Sequence, residues 1–343
     1  MKSELVQKAY EIAKERYAAM GVDTEKVLEQ MQDFHLSLHC WQADDVKGFE
    51  VQAGELTGGI QATGNYPGAA RNIDELRADI VKAKSYIPGT HRLNLHEIYG
   101  DFKGKVVDRD EVTPEYFESW IEWAKENNMK LDFNSTSFSH PKSGNLSLAN
   151  PDEGIRNFWI EHTKRCREIS EAMGKAQGDP CIMNLWVHDG SKDQTVNKYL
   201  YRSLLKDSLD KIFATKYDNM KDCIESKVFG IGLESFTVGS NDFYTAYAAQ
   251  NNKLITLDTG HFHPTESVAD KVSAMLLYVP ELMLHVSRPI RWDSDHVTIM
   301  DDPTLDLFQE IVRAGALDRV HYGLDYFDAS INRIGAYVIG RRP

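Results

Sequence analysis

Long apolar runs are missing from this 343-residue sequence, and so is any pattern of paired cysteines. No stretch of about 18 apolar residues occurs, so no membrane-spanning helix is expected. The four cysteines lie far apart, at positions 40, 166, 181 and 223, without a Cys-x-x-Cys spacing. For a chain of this size that spacing excludes both a disulfide framework and a zinc finger, and it fits a reducing cytoplasm.

An excess of basic charge is also missing. The chain has 39 basic and 52 acidic residues, a net charge of −13, whereas a nucleic-acid binder usually needs a basic surface. Residues 1–21 predict an amphipathic N-terminal helix and lack the apolar core of a secretory signal. We therefore expect a cytoplasmic protein that binds neither nucleic acid nor membrane.

The sequence does contain a regular alternation of strand-like and helix-like segments. Eight β-rich runs occupy residues 34–41, 92–96, 130–135, 181–188, 222–227, 253–261, 282–287 and 319–325. Segments with helical apolar spacing lie at 71–85, 114–128, 151–175, 192–216, 241–252, 266–276 and 302–314. Such alternation implies parallel strands joined by right-handed crossovers. Eight repeats predict one (β/α)₈ TIM barrel domain over residues 1–343.

Polar side chains end all eight predicted strands, whereas the strand starts carry no comparable set. These residues are His39, Trp41, His96, Asn134, Ser135, Trp186, His188, Asp189, Glu225, Lys227, Asp258, His261, His285 and Asp325. One polar residue at a strand end is ordinary turn chemistry. A set so rich in His and carboxylate predicts an active site at the C-terminal face, where such barrels carry it.

The segment "RWDSDH", residues 291–296, places Asp293 and Asp295 two positions apart. Two neighbouring carboxylates repel each other unless a cation or a proton lies between them. An isolated Asp-x-Asp is commonly an exposed acidic loop. Here Trp292 and the preceding apolar stretch argue against full exposure, so we interpret the pair as metal ligands.

The segment "LDTGHFHP", residues 257–264, brings Asp258, His261 and His263 together after an apolar strand, and Gly260 permits a tight backbone path. This spacing suits one ion or two neighbouring ions. His261 is the preferred ligand, because His263 could instead support another ligand or cap the next helix. Carboxylate and imidazole without thiolate favour Mn²⁺, Mg²⁺, Co²⁺ or Zn²⁺.

Three other strand-end residues have both a structural and a functional interpretation. A lone histidine on an apolar strand, such as His285, is commonly a core residue, and Glu225 with Lys227 is compatible with a surface salt bridge. At the barrel mouth we instead interpret His285 and Glu225 as ligands and Lys227 as a contact of a substrate oxygen. Asp325 closes the ring of polar strand ends.

Three aromatic residues, Trp41, Phe133 and Trp186, lie among these polar positions. Buried aromatics usually belong to the core, but at a barrel mouth they form the apolar wall of a small-molecule pocket. A flat wall beside Asp, His and Lys suits a sugar.

With these residues in place the sequence closely resembles the L-rhamnose isomerase family over essentially its whole length. The resemblance is carried by "LHCWQADDVKGFE", "LDFNSTSFSHP", "NLWVHDGSKD", "GHFHPTES", "LMLHVSRPIRWDSDHV" and "GLDYFDASINRI". It implies a xylose-isomerase-like (β/α)₈ barrel, a cytoplasmic homotetramer, and two divalent ions per chain, typically Mn²⁺. It also implies interconversion of L-rhamnose and L-rhamnulose. Family members continue for several tens of residues in C-terminal helices that are expected to be missing after "AYVIGRRP".

The resemblance also assigns roles to particular residues. It places a structural ion on Glu225, Asp258, His285 and Asp325. A catalytic ion falls on His261, Asp293 and Asp295. Lys227, Asp325 and His96 are the implied catalytic residues, with Lys227 on a sugar oxygen and Asp325 near the reacting carbons. The implied substrate-binding residues are Trp41, Trp186, Phe133 and His263.

The reaction so implied opens the sugar ring and moves one hydrogen between C1 and C2. Either a hydride passes directly between the carbons with metal assistance, or a carboxylate removes a proton and an enediol forms. The hydride shift is our hypothesis, because no carboxylate is evidently free of metal. Two alternatives are a metal-dependent hydrolase on the same barrel, which would need a basic mouth, and a non-catalytic remnant of the family.

Overall fold

The fold is seen in a computed structural model that describes residues 3–32, 34–50, 69–193, 195–227, 235–328 and 330–341. Its centre is a closed barrel of eight parallel strands in the order β1-β10-β9-β8-β6-β4-β3-β2. The strands of the barrel are β1 Leu36–His39, β2 His91–His96, β3 Met129–Ser135, β4 Cys181–Trp186, β6 Met220–Glu225, β8 Leu254–Asp258, β9 Leu282–Val286 and β10 Val320–Leu324. The predicted (β/α)₈ barrel is therefore confirmed.

Two short strands, β5 Gly190–Ser191 and β7 Phe236–Thr237, pair antiparallel outside the barrel. The barrel strands are buried almost throughout, because side chains of one face fill the barrel and those of the other face meet the helices. Parallel register brings every strand end to the same edge. Asp258 pairs with His285, for example, and Trp186 pairs with Glu225.

Helices surround the barrel, although the first two bury none of their described residues. They are α1 Ser3–Ala19, α2 Thr24–Gln32, α3 Ile73–Lys84, α4 Glu118–Glu126, α5 Glu153–Gln177, α6 Lys198–Ile212, α7 Asn241–Asn251, α8 Ala269–Met275, α9 Asp302–Arg313 and α10 Arg333–Gly340. Several begin at a residue whose side chain accepts from a backbone N–H of the first turn, as Asp152 does for α5 and Asp301 does for α9. Within the described ranges, no helix is long and apolar enough to cross a membrane.

Some predicted boundaries were wrong for identifiable reasons. The first run was expected to be a strand through residue 41, but β1 ends at His39 and residues Cys40–Ala43 form a 3₁₀ helix. The sixth run stops at Asp258, so His261 lies in the turn that follows. The helix expected from residue 192 begins at Lys198, whose preceding residue Asn197 caps it.

Candidate active site

A cavity opens at the carboxyl edge of the barrel. Its lining residues are Trp41, Val46, His96, Asn134, Ser135, Phe138, Asn184, Trp186, Glu225, Lys227, His261, His285, Asp293, Asp295 and Asp325. The open space between these side chains, counted out to the solvent, is about 500 Å³. The cavity therefore occupies the place that polar strand ends predicted.

The first cluster of potential ligands combines the ends of β6, β8, β9 and β10. It consists of Glu225, Asp258, His285 and Asp325, whose ligand atoms all lie within 4.8 Å of one another. His285 Nδ1 is 3.2 Å from Glu225 Oε2 and 3.5 Å from Asp325 Oδ2. Three carboxylates around one imidazole nitrogen form a compact set of hard ligands for a divalent cation.

The second cluster lies beside the first and shares one residue with it. It consists of Asp258, His261 and Asp293, and His261 Nε2 is 3.2 Å from Asp293 Oδ2 and 3.8 Å from Asp258 Oδ2. Asp295 was expected in this set. It is buried on the cavity wall but is not a member of this group of ligand atoms. Asp258 is the third member instead.

Within the described part of the chain, several buried polar atoms of these clusters lack a hydrogen-bond partner that a bound cation would replace. Asp258 Oδ2, Asp293 Oδ1 and both ring nitrogens of His285 are buried and have no hydrogen-bond partner among the described residues. An unpaired buried polar atom costs roughly 1–3 kcal/mol or more, so such a concentration needs an explanation. Divalent cations at the two clusters would satisfy these atoms.

The orientation of His261 also suits a ligand. Its Nδ1 lies 2.9 Å from the carbonyl oxygen of Ser226, and an N–H donated there leaves Nε2 free to face Asp258 and Asp293. Metal-binding histidines commonly fix their second nitrogen in this way.

The cluster is strongly acidic without a cation, and its protonation reflects that. Burial lowers the pKa of His261, but Asp258 and Asp293 outweigh it and raise this pKa well above its ordinary value. Burial, with Asp293 and Asp325 nearby, raises the pKa of Asp295. Both shifts favour bound protons where a divalent cation would otherwise balance the charge, so proton release should accompany metal binding.

Lys227 carries the positive charge of the cavity. Its Nζ is 2.8 Å from Asp293 Oδ2 and 4.9 Å from the centre of the Trp186 ring. Burial opposes the charge, but Asp293 and other carboxylates raise the pKa of Lys227. Lys227 is therefore an ammonium whose position is fixed by a carboxylate and an aromatic face.

Aromatic side chains also line the cavity. Trp41 and His96 meet edge to face with ring centres 4.7 Å apart, and Trp41 Nε1 donates to Asp325 Oδ1 at 2.8 Å. Burial lowers the pKa of His96 to about 3, so this ring is neutral. Trp186 faces Phe138 at 5.7 Å, which completes an apolar wall.

Two predicted substrate-binding residues lie elsewhere. Phe133 is fully buried and packs against Phe117 at 5.1 Å, outside the residues that line the described cavity. It precedes Asn134 on β3, and successive strand residues face opposite sides. His263 is exposed and lies 2.8 Å from Thr265 Oγ1 in the turn before α8, so it belongs to a surface turn.

Trp292 was used to predict that Asp293 and Asp295 are not fully exposed, and this reason was wrong. Trp292 is 57% exposed, whereas Asp293 and Asp295 are 9% and 6% exposed. The chain turns sharply here, and Asp295 has a φ of +46°. Both carboxylates are therefore buried by the loop path and not by the neighbouring indole.

Sequence reasoning did not identify three cavity residues: Val46, Phe138 and Asn184. Asn184 donates to Glu225 Oε2 and accepts from Thr256 Oγ1 at 2.7 Å, so it orients a candidate ligand. A polar residue inside the apolar run "CIMNLW" was an available signal for it. Val46 has a φ of +56°, a strained conformation for a β-branched residue that the sequence does not reveal.

Comparison with known proteins supplies a family match. The model of L-rhamnose isomerase (RhaA) matches residues 4–343. An L-rhamnose isomerase of Bacteroides thetaiotaomicron is 85% identical over 341 residues, which are 99% of this chain and 82% of that protein. An L-rhamnose isomerase of Rhodopirellula baltica is 54% identical, covering 98% of this chain and 79% of that protein.

Solved structures with low sequence identity share the fold. A D-tagatose 3-epimerase-like protein has a TM-score of 0.55 at 13% identity, covering 88% of this chain and 93% of that one. An L-ribulose 3-epimerase has a TM-score of 0.54 at 9% identity, covering 89% and 91%. At this identity the likeness concerns the barrel architecture alone.

Proposed function

The chain belongs to the L-rhamnose isomerase family and interconverts L-rhamnose and L-rhamnulose, and we propose that it does so in the cavity at the carboxyl edge of the barrel. One observation carries this proposal. Two overlapping clusters of buried carboxylates and imidazoles meet the wall formed by Trp41, Trp186 and Phe138. A polyhydroxy substrate with an apolar C–H face needs both.

The two clusters would hold two divalent ions. The first ion would bind to Glu225, Asp258, His285 and Asp325. The second would bind to His261 and Asp293, with either Asp258 or Asp295 as its third ligand. When bound, such ions polarise a carbonyl and stabilise charge on neighbouring oxygens as Lewis acids. We propose Mn²⁺ for both, since oxygen-rich sites with imidazole suit it, although Zn²⁺, Co²⁺ and Mg²⁺ share the preference for such ligands.

Lys227 would bind a sugar oxygen and stabilise negative charge there. Its ammonium is already held by Asp293 at 2.8 Å, so it needs little reorganisation when substrate arrives. The low-dielectric wall of Trp186 strengthens the interaction of this charge with a developing oxyanion.

His96 and Asp325 would act at the reacting end of the sugar. The neutral His96 ring can accept or donate one hydrogen bond at Nε2, because its Nδ1 already bonds to Thr136 Oγ1. Asp325 is oriented by Trp41 and is also a candidate ligand of the first ion, which would hold it as a carboxylate near the reacting carbons. The His96 ring could pass a proton to or from the ring oxygen during ring opening.

For the hydrogen transfer we propose the hydride route. The hydrogen on C2 moves to C1 with its electron pair, while a proton moves from O2 to O1. The enediol route needs a carboxylate base. Asp295 is the candidate for that base, since of the carboxylates lining the described cavity it lies outside both ligand groups.

Isomerisation of L-rhamnose in D₂O should therefore give L-rhamnulose with essentially no carbon-bound deuterium after the first turnovers. A directly transferred hydride never exchanges with solvent, whereas a proton on a carboxylate does. Mass spectrometry of the early product makes the measurement. Substantial incorporation at C1 by the wild type, together with loss of ketose formation in Asp295→Asn, would establish the enediol route instead.

Metal reconstitution tests the activity itself. Protein stripped with a chelator should form no ketose from L-rhamnose, and addition of Mn²⁺ should restore ketose formation in a colorimetric assay. Protein that remains folded by circular dichroism yet forms no ketose with Mn²⁺, Co²⁺, Zn²⁺ or Mg²⁺ would contradict the proposed function.

Neither alternative from the sequence is favoured. The family match and the 85% identical isomerase argue against a barrel hydrolase. Candidate ligands and Lys227 lie together around the cavity, which is not expected of a remnant.

We further propose a cytoplasmic homotetramer. The family resemblance supports the tetramer, and four free, buried cysteines support the cytoplasmic location. Native mass spectrometry measures the assembly.

A further inference from the structure

Arg109 is not one of the residues that line the described cavity, yet its side chain connects three segments that build the cavity. It belongs to a 3₁₀ helix, Arg109–Glu111, and is 2% exposed. Its Nη1 donates to the carbonyl oxygens of Thr136 at 3.0 Å and Phe138 at 2.7 Å. Its Nε and Nη2 donate to the Glu50 carboxylate at 3.1 and 2.5 Å.

The backbone that Arg109 holds carries two groups of the sugar site. Thr136 Oγ1 hydrogen-bonds to His96 Nδ1, and the Thr136 N–H donates to Glu97 Oε2 at 3.0 Å. Phe138 stands against Trp186 on the cavity wall. The direction of the His96 ring and the position of Phe138 thus both depend on the path of residues 136–138.

Glu97 completes the same network from the end of β2. It is buried, follows His96 directly, and its Oε1 is 3.7 Å from Arg109 Nε. Only a planar guanidinium, with donors on several sides, can serve two carbonyls and a carboxylate at once. A lysine at this position would keep the charge but lose most of the directed hydrogen bonds.

We propose that Arg109 is a positioning residue of the sugar site, which sets the ring of His96 and the wall at Phe138 through the backbone of residues 136–138. This inference rests on the proposed function. The ligands of the two clusters at the cavity come from β6, β8, β9 and the loops after β8 and β9, with Asp325 directly after β10, so Arg109 acts on sugar binding and not on these two clusters.

Arg109→Lys tests the proposal beside a matched control, Arg167→Lys. Arg167 is equally buried and donates to Asp222 at 2.7 Å and to the carbonyl of Ile212 at 2.6 Å, but it lies away from the cavity. Arg109→Lys should raise KM for L-rhamnose at least about tenfold. Mn²⁺ affinity, by titration calorimetry on metal-free protein, should stay at the wild-type value. Arg167→Lys should lower thermal stability and leave KM unchanged.

A purely structural role would give another pattern. If both variants lose stability and neither changes KM, or if Arg109→Lys weakens Mn²⁺ binding as much as sugar binding, the proposal is overturned. Wild-type protein without isomerase activity contradicts the proposed function instead, and this is measured first in the same assay.

Thr136→Val keeps the test decisive even if Arg109→Lys fails to fold. Valine matches the shape of threonine and retains the backbone N–H and carbonyl that Glu97 and Arg109 use, but it removes the hydroxyl on His96. A KM increase of several-fold at unchanged Mn²⁺ affinity supports the proposal, since one neutral hydrogen bond contributes about 1 kcal/mol. Wild-type KM in Thr136→Val overturns it.

Discussion

Asp293→Asn should abolish isomerisation while the barrel remains folded. Asp293 lies between Lys227 and His261, with one oxygen 2.8 Å from Lys227 Nζ and 3.2 Å from His261 Nε2. Burial disfavours its charge, but Lys227 and His261 outweigh burial and hold the pKa of Asp293 well below its ordinary value. This carboxylate is therefore ionised in the working pH range, and the amide of asparagine cannot replace its charge.

The expected loss in kcat is at least about a thousandfold, or about 4 kcal/mol of transition-state stabilisation. Two functions disappear together, because asparagine neither neutralises a cation at the second cluster nor fixes the Lys227 ammonium. Leaving a buried ammonium without its partner is costly in itself. The folded state should nevertheless survive, since asparagine matches aspartate in size and residue 293 lies outside the barrel strands.

The measurement combines steady-state kinetics with Mn²⁺ titration of metal-free protein. Asp293→Asn should lose one of the two binding events, and Asp270→Asn, at an exposed position of α8, should behave as wild type. The same titration on Asp295→Asn and Asp258→Asn tests which residue is the third ligand of the second ion. The family resemblance implies Asp295, whereas the second cluster contains Asp258. Wild-type kcat in Asp293→Asn would show that the catalytic ion does not bind at this residue.

The sequence carried enough information to place most of the site because parallel strands end at one edge. His285, Asp258, Glu225 and Asp325 were found simply as polar residues at the ends of apolar runs, and the barrel closes those ends into a ring. That inference needs only the alternation of strands and helices. It does not need accurate boundaries, which is why the early end of β1 did not affect it.

What the sequence could not supply was the path of the loops. The burial of Asp293 and Asp295 comes from a turn with a positive φ at Asp295, and the exposed Trp292 gave no valid sign of it. Phe133 faces away from the described cavity, since alternation along β3 puts it opposite to Asn134. Phe138 is the aromatic residue of that segment on the cavity wall, and it reaches the wall through a loop that Arg109 holds.

Gly260→Ala should reduce activity strongly, although glycine itself carries no functional group. A Cβ at Gly260 would lie 2.1 Å from Asp293 Oδ1 and 3.3 Å from Asp258 Oδ1. The first distance is far below van der Waals contact, so the Asp293 carboxylate must move by more than about 1 Å. A displacement of that size at reacting groups can cost about a hundredfold in rate, and kcat/KM should fall by about this factor.

Gly335→Ala is the matched control, since a Cβ there would meet Asn332 Cβ only at 3.8 Å and alanine favours the helix around it. It should retain wild-type kcat/KM and Mn²⁺ stoichiometry. Gly260→Ala should instead bind about one ion fewer, because its methyl group occupies the space that Asp293 needs to face His261. Wild-type kinetics in Gly260→Ala would mean that the ligand oxygen of Asp293 points away from Gly260 in the active enzyme. The second ion would then have to bind to His261, Asp295 and the other oxygen of Asp293, the three residues that the family resemblance implied.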